Sequence, residues 1–79
     1  MNTDTYLSRY ARTSEHHGIT MTLIGYWIDL AAYYSGSDGN AWSYQSGWSN
    51  CGPVEEFCAR VRAGRIRGKL LADVQEVAQ

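Results

Sequence analysis

Apolar and polar positions change their period along this chain. Over Ile19-Thr20-Met21-Thr22-Leu23-Ile24 they alternate, and Gly25 interrupts before Tyr26-Trp27-Ile28-Asp29-Leu30. Alternation in β-branched and aromatic residues predicts a strand, with a bulge at the glycine. Further on, Ser37-Asp38-Gly39-Asn40 lies between the aromatic runs Tyr33-Tyr34 and Trp42-Ser43-Tyr44. Asp-Gly supplies the positive φ angles of a tight turn, so 26–35 and 41–48 are expected to pair as an antiparallel hairpin turning near 37–40. A competing helical reading of 20–35 exists, because Leu23, Trp27, Leu30 and Tyr34 also fit one helix face. Residues 1–18 fit both periods: Tyr6, Leu7, Tyr10 and Ala11 have helical spacing, whereas Tyr6-Ser8-Tyr10-Arg12 alternates. The strand reading is preferred there, with Ser14 to Gly18 as a turn.

After a loop from Ser46 to Gly52 the period becomes helical. Pro53 suits a first helical position, and Glu55 and Glu56 favour the positive end of the helix dipole. Val54, Phe57, Cys58 and Val61 then share a face, while Leu70, Leu71, Val74, Val77 and Ala78 fall roughly 180° away if the helix runs on unbroken. One straight helix cannot bury both sets. The break falls at Ala63-Gly64, where glycine suits the position just past a helix end. The expected fold is therefore α+β: a small antiparallel sheet of two to three strands packed by two C-terminal helices, about 53–63 and 66–78. The alternative is a mostly α fold.

Seventy-nine residues allow one domain and one core, here taken as 1–79. Hydrophobic residues at 44% against 19% charged exclude wholesale disorder and collagen-like repeats. The stretch Gly18 to Ile28 is too short to span a bilayer, and Met1 to Tyr6 has no basic or apolar leader, so no membrane partner and a cytoplasmic location are expected. In a reducing compartment Cys51 and Cys58 are expected as free thiols.

Charge changes the picture locally. Seven Lys and Arg against eight Asp and Glu give a net charge of −1, yet Arg60, Arg62, Arg65, Arg67 and Lys69 are five of the seven cations within ten residues. Such a run could contact phosphates or an acidic protein rim; its bland reading is a solvated face with local pairs such as Glu56–Arg60 and Lys69–Asp73. The aromatic window is the second feature. Tyr26, Trp27, Tyr33, Tyr34, Trp42, Tyr44 and Trp48 are seven of ten aromatics within 23 residues. They cannot all enter one core; Trp27, Tyr33 and Trp42 are expected on one face, with Tyr26, Tyr34 and Tyr44 on the other. Surface Tyr and Trp anchor protein interfaces well, because they combine rigid area with a polar tip.

Catalytic and metal chemistry find little support. His16-His17 has no companion ligands at metal spacing, and a surface turn explains it. Cys51 or Cys58 with a histidine and Asp29 has no positioning motif, Ser35 to Asn40 has one carboxylate and makes a poor calcium loop, and nucleophile elbows and phosphate loops are absent. No enzyme activity, metal or cofactor is expected. The leading functional expectation is stoichiometric binding of a host protein or protein complex through Tyr34, Trp42, Tyr44 and Trp48 together with Arg60, Arg62, Arg65, Arg67 and Lys69. By analogy of size and lack of motifs alone, this would suit a phage or mobile-element inhibitor with an anti-defence, anti-CRISPR-like role. The alternatives are a small nucleic-acid binder led by the basic segment and a self-associating structural module, such as a homodimer.

Overall fold

The computed structural model describes residues 10–27 and 30–71. Along them run β1 (Thr13–His16), β2 (Ile19–Trp27), β3 (Ala31–Gly36), β4 (Asn40–Tyr44), β5 (Trp48–Pro53), α1 (Val54–Arg62) and β6 (Lys69–Leu70). Every pairing is antiparallel, in the order β1-β2-β3-β4-β5, and β6 joins β2. A six-stranded sheet with a single helix among the described residues replaces the expected two or three strands under two helices. It also replaces the mostly α alternative.

Local chemistry accounts for the first hairpins. His17 and Gly18 connect β1 to β2 with φ angles of 50° and 79°, the doubly left-handed loop that matches the twist of the flanking strands. Asp38 and Gly39 connect β3 to β4; the Gly39 amide donates to the Gly36 carbonyl at 3.0 Å, and Asp38 accepts from the Asn40 backbone and side chain at 3.1 Å each. The loop expected from Ser46 to Gly52 is mostly β5. Its Ser49, Asn50, Gly52 and Pro53 are weak strand formers, but β5 pairs only with β4 among the described strands, and edges tolerate such residues.

The helix begins one residue later than expected: Pro53 is the extended residue before it, with φ −54° and ψ 135°. It ends where the glycine signal put it. The Arg65 amide donates to the Arg60 carbonyl at 2.9 Å and the Gly64 amide to the Val61 carbonyl at 3.1 Å, with Gly64 at φ 77°. That pair of bonds closes the helix, and the chain leaves extended. Over the described residues the helix expected at 66–78 is therefore absent: Lys69 and Leu70 form β6 against Tyr26 and Gly25. Residues 72–78 lie outside the described chain. Gly25 has a second role besides its place next to the register shift between Leu23 and Gly25, since a Cβ there would collide with the Lys69 carbonyl oxygen. Its bare backbone admits β6.

Strand alternation sorts the buried side chains onto two faces. Ile24, Ala31, Tyr33, Ala41 and Leu70 pack with Phe57, Cys58 and Val61 of α1. Met21, Leu23, Tyr26, Ala32 and Tyr34 pack on the opposite face with Tyr10, Ile19, Trp42, Trp48 and Leu71. Leu70 and Leu71 thus face opposite ways, as successive strand residues do, and their helical spacing to Val74 misled the sequence reading.

The second face is concave. The His16 ring on β1 lies 5.6 Å from Trp42 on β4 and 5.7 Å from Trp48 on β5. In a flat sheet these strands would stand roughly 14 to 19 Å from β1. The sheet therefore curls until its first strand meets its fourth and fifth across one face.

Candidate functional site

Cross-strand register brings the sequence-selected aromatics together. Tyr34 pairs with Trp42 across β3 and β4, and Tyr44 pairs with Trp48 across β4 and β5. Directly opposed residues share a face. All four rings accordingly lie on the concave face, including Trp42, which had been expected beside Trp27 and Tyr33. Trp48 is the hub: its ring centroid is 4.9 Å from Tyr34 and 4.9 Å from Tyr44, both tilted or edge-on. Trp42 is fixed from its polar end, its indole N–H donating to Asp38 at 3.3 Å.

These anchors are unequally available. Tyr34 is buried at 2% exposure, and its hydroxyl donates to the Ala11 carbonyl at 2.7 Å. It is a wall of the site. Trp42 and Trp48 are half-buried, and Tyr44 is 42% exposed. Burial, then the neighbouring hydroxyls of Tyr10 and Tyr44, pushes the Tyr34 phenol above its ordinary pKa, so it remains a neutral donor.

Around these rings opens a cleft of about 270 Å³ lined by Tyr10, Ala11, Ser14, Tyr34, Tyr44 and Trp48. Among the described residues no charged side chain lines it. Sequence reasoning missed Tyr10, Ala11 and Ser14 as site residues, because only the curl of the sheet carries β1 over to β5. The one available signal was the alternation through Tyr10 and Arg12, which already favoured an extended segment.

No family model matches the chain, and no curated protein or solved structure matches it. Function must be read from the geometry.

The basic segment lies elsewhere. Arg60 and Arg62 sit exposed on α1, whose buried residues face the other side of the sheet, and Arg65 and Arg67 follow in the connection to β6. Arg67 stands over the Trp27 ring, 5.9 Å from its centroid, and its carbonyl accepts from the Tyr33 hydroxyl at 2.5 Å. Both aromatic partners belong to the helix-covered face. Arg60 reaches Glu56 at 3.9 Å, an exposed pair one helical turn apart that contributes little. Arg62, Arg65 and Lys69 have no carboxylate partner among the described residues. Asp73, the expected partner of Lys69, lies outside them. Arg60, Arg62 and Arg67 therefore stand on the helix side of the sheet, away from the four rings, whereas Lys69, opposite Tyr26 on β2, falls on the concave side.

The remaining candidates are placed simply. His16 ends β1 and His17 turns the hairpin; among the described residues no three His, Cys, Asp or Glu side chains gather to hold a metal. Cys51 on β5 and Cys58 on α1 are free thiols. Burial pushes the Cys58 thiol upward and outweighs the opposite pull of Arg62, which leaves it less reactive than a free cysteine. Asp29, weighed as an orienting carboxylate, lies outside the described residues. No helix among the described residues is long and apolar enough to cross a membrane.

Proposed function

We propose that the chain is a non-catalytic module that binds another protein through its concave aromatic face, with Tyr44 and Trp48 as the principal anchors. The observation that carries this reading is the separation of the rings from the arginines of the 60–67 segment. A binder of single-stranded nucleic acid needs aromatic platforms and positive charge along one groove. Here the aromatic cleft and the arginines of the 60–67 segment are parted by the sheet. A protein partner needs no such union: rigid aromatic anchors around a small pocket, held by their neighbours and open at the polar tip, suffice. Trp48, wedged between Tyr34 and Tyr44, fits that description.

The occupant in this reading is a host protein or protein complex. The narrower role of phage or mobile-element inhibitor has no residue to carry it and forms no part of the proposal. A second reading keeps the basic segment as a polyanion contact, favoured by the lack of carboxylate partners at Arg62, Arg65 and Lys69 among the described residues. Its signature would be affinity that falls steeply with salt. Capture from host lysate with and without nuclease, run side by side on the wild type, Tyr44→Ala and Arg65→Glu, separates the readings. The expected result is a protein that survives nuclease and is lost from Tyr44→Ala but retained by Arg65→Glu. Recovery that vanishes with nuclease, or with Arg65→Glu alone, would transfer binding to the basic segment. Light scattering after size exclusion separates both from self-association.

A further inference from the structure

Resting on the protein-binding reading, we infer that the cleft takes an extended proline-rich segment of its partner. Three features of the site converge on that occupant. The first is charge: among the described residues the lining is uncharged, in a surface otherwise studded with Arg, Glu and Asp, so a charged segment would lose hydration against these rings without an opposite charge among them. An uncharged segment is the complementary one.

The second is hydrogen bonding. The Trp48 indole N–H and the hydroxyls of Tyr44 and Ser14 make no hydrogen bond among the described residues, while the Tyr34 hydroxyl is already committed to Ala11. The free groups around the cleft include an indole that can only donate and two hydroxyls that can. A polyproline II segment is the backbone that matches them, because proline has no N–H and its carbonyls, unused within that helix, seek donors. A β-strand partner would bring N–H groups in equal number and calls for an exposed backbone edge instead of side-chain rings.

The third is shape and rigidity. A cleft of about 270 Å³ falls just short of the ordinary ligand-pocket range of about 300–1,000 Å³, too small for a dinucleotide and suited to a few side chains of a passing chain. Its walls are flat rings braced at 4.9 Å, edge to face for Tyr34 on Trp48 and tilted for Tyr44 on Trp48, surfaces on which pyrrolidine rings pack. Because polyproline II is already extended in the free chain, little ordering cost is added on docking.

The test uses the full chain and an array of proline-rich decapeptides that vary at their non-proline positions. Same-length peptides with every Pro replaced by Ala, and a leucine-rich amphipathic set, serve as competitors. Saturable movement of the Trp48 indole N–H signal is expected with members of the proline set. Binding should fall about tenfold or more with the alanine versions and in Tyr44→Ala, a variant that still melts in one cooperative transition. Equal binding by proline and alanine peptides overturns the inference, as does preference for the leucine-rich set, although either leaves the protein-binding reading standing. Failure of every peptide, while Tyr44→Ala still abolishes capture of the lysate partner, also overturns the proline inference alone. If Tyr44→Ala retains that partner as well, both readings fall.

Discussion

The two faces of the sheet bury similar numbers of large side chains and finish them differently. On one, α1 lays Phe57, Cys58 and Val61 over Ile24, Tyr33 and Leu70, and Arg60, Arg62 and Arg67 stand outside. On the other, the sheet curls over its own aromatics and leaves a cleft whose rim residue Tyr44 stays 42% exposed. A face closed by a helix spends its apolar surface on stability. A face closed by curvature keeps part of it for contact, and small domains have little apolar surface to leave idle.

The largest effect should come from the helix side. Phe57 is 1% exposed and packs edge-on against Tyr33 at 4.9 Å, so Phe57→Ala should cost about 3–5 kcal/mol in a denaturant titration. A loss below about 1 kcal/mol would mean that α1 is not the principal cover of this face. Next comes Gly25→Ala, which sets a methyl group against the Lys69 carbonyl oxygen on β6. A loss of about 1–3 kcal/mol is expected. Faster exchange of the Leu71 amide, now bonded to the Ile24 carbonyl at 2.8 Å, should accompany it.

Alkali probes both faces at once. Burial comes first among the causes that raise the phenols of Tyr33 and Tyr34, with Cys51 adding to the former. Their folded pKa values lie above the unfolded ones, so the stability they contribute is complete below the unfolded value of about 10 and is lost as pH rises through the folded values. Tyr33→Phe should remove the helix-side part of that alkaline loss and Tyr34→Phe the concave-side part, read from melting curves between neutral pH and alkali. The smallest stability change belongs to Tyr44→Ala, within about 1 kcal/mol because its ring meets Trp48 at the surface. Its effect on partner capture should nevertheless exceed that of any variant in the basic segment.

Signals confined to a few residues were legible in the sequence. Asp38-Gly39 marked the β3–β4 turn, and Glu55, Glu56 and Gly64 bracketed α1, because each acts through its own backbone or the nearest turn. Long-range geometry was not. Leu70 and Leu71 sat at helical spacing from Val74, and only the pairing of β6 with Gly25 makes them strand residues on opposite faces. The polar composition of Ser49 to Gly52 concealed an edge strand. Of the candidate anchors, Tyr34, Trp42, Tyr44 and Trp48 come together on one face only through register, which also sets the burial of Tyr34 and the face of Trp42. Tyr10 and Ser14 join only through the curl of the sheet. The arginines seemed to adjoin the aromatics because nothing in their order along the chain reveals the sheet between them.

Trp27 and Trp48 report the two faces independently, one beneath Arg67 and the other at the cleft. The most direct test is therefore to follow their indole N–H signals in a ¹⁵N-labelled sample while the captured partner is added. Movement of Trp48 with Trp27 unchanged is the predicted result; movement of Trp27 with Trp48 unchanged would place the contact on the arginine side and contradict the account.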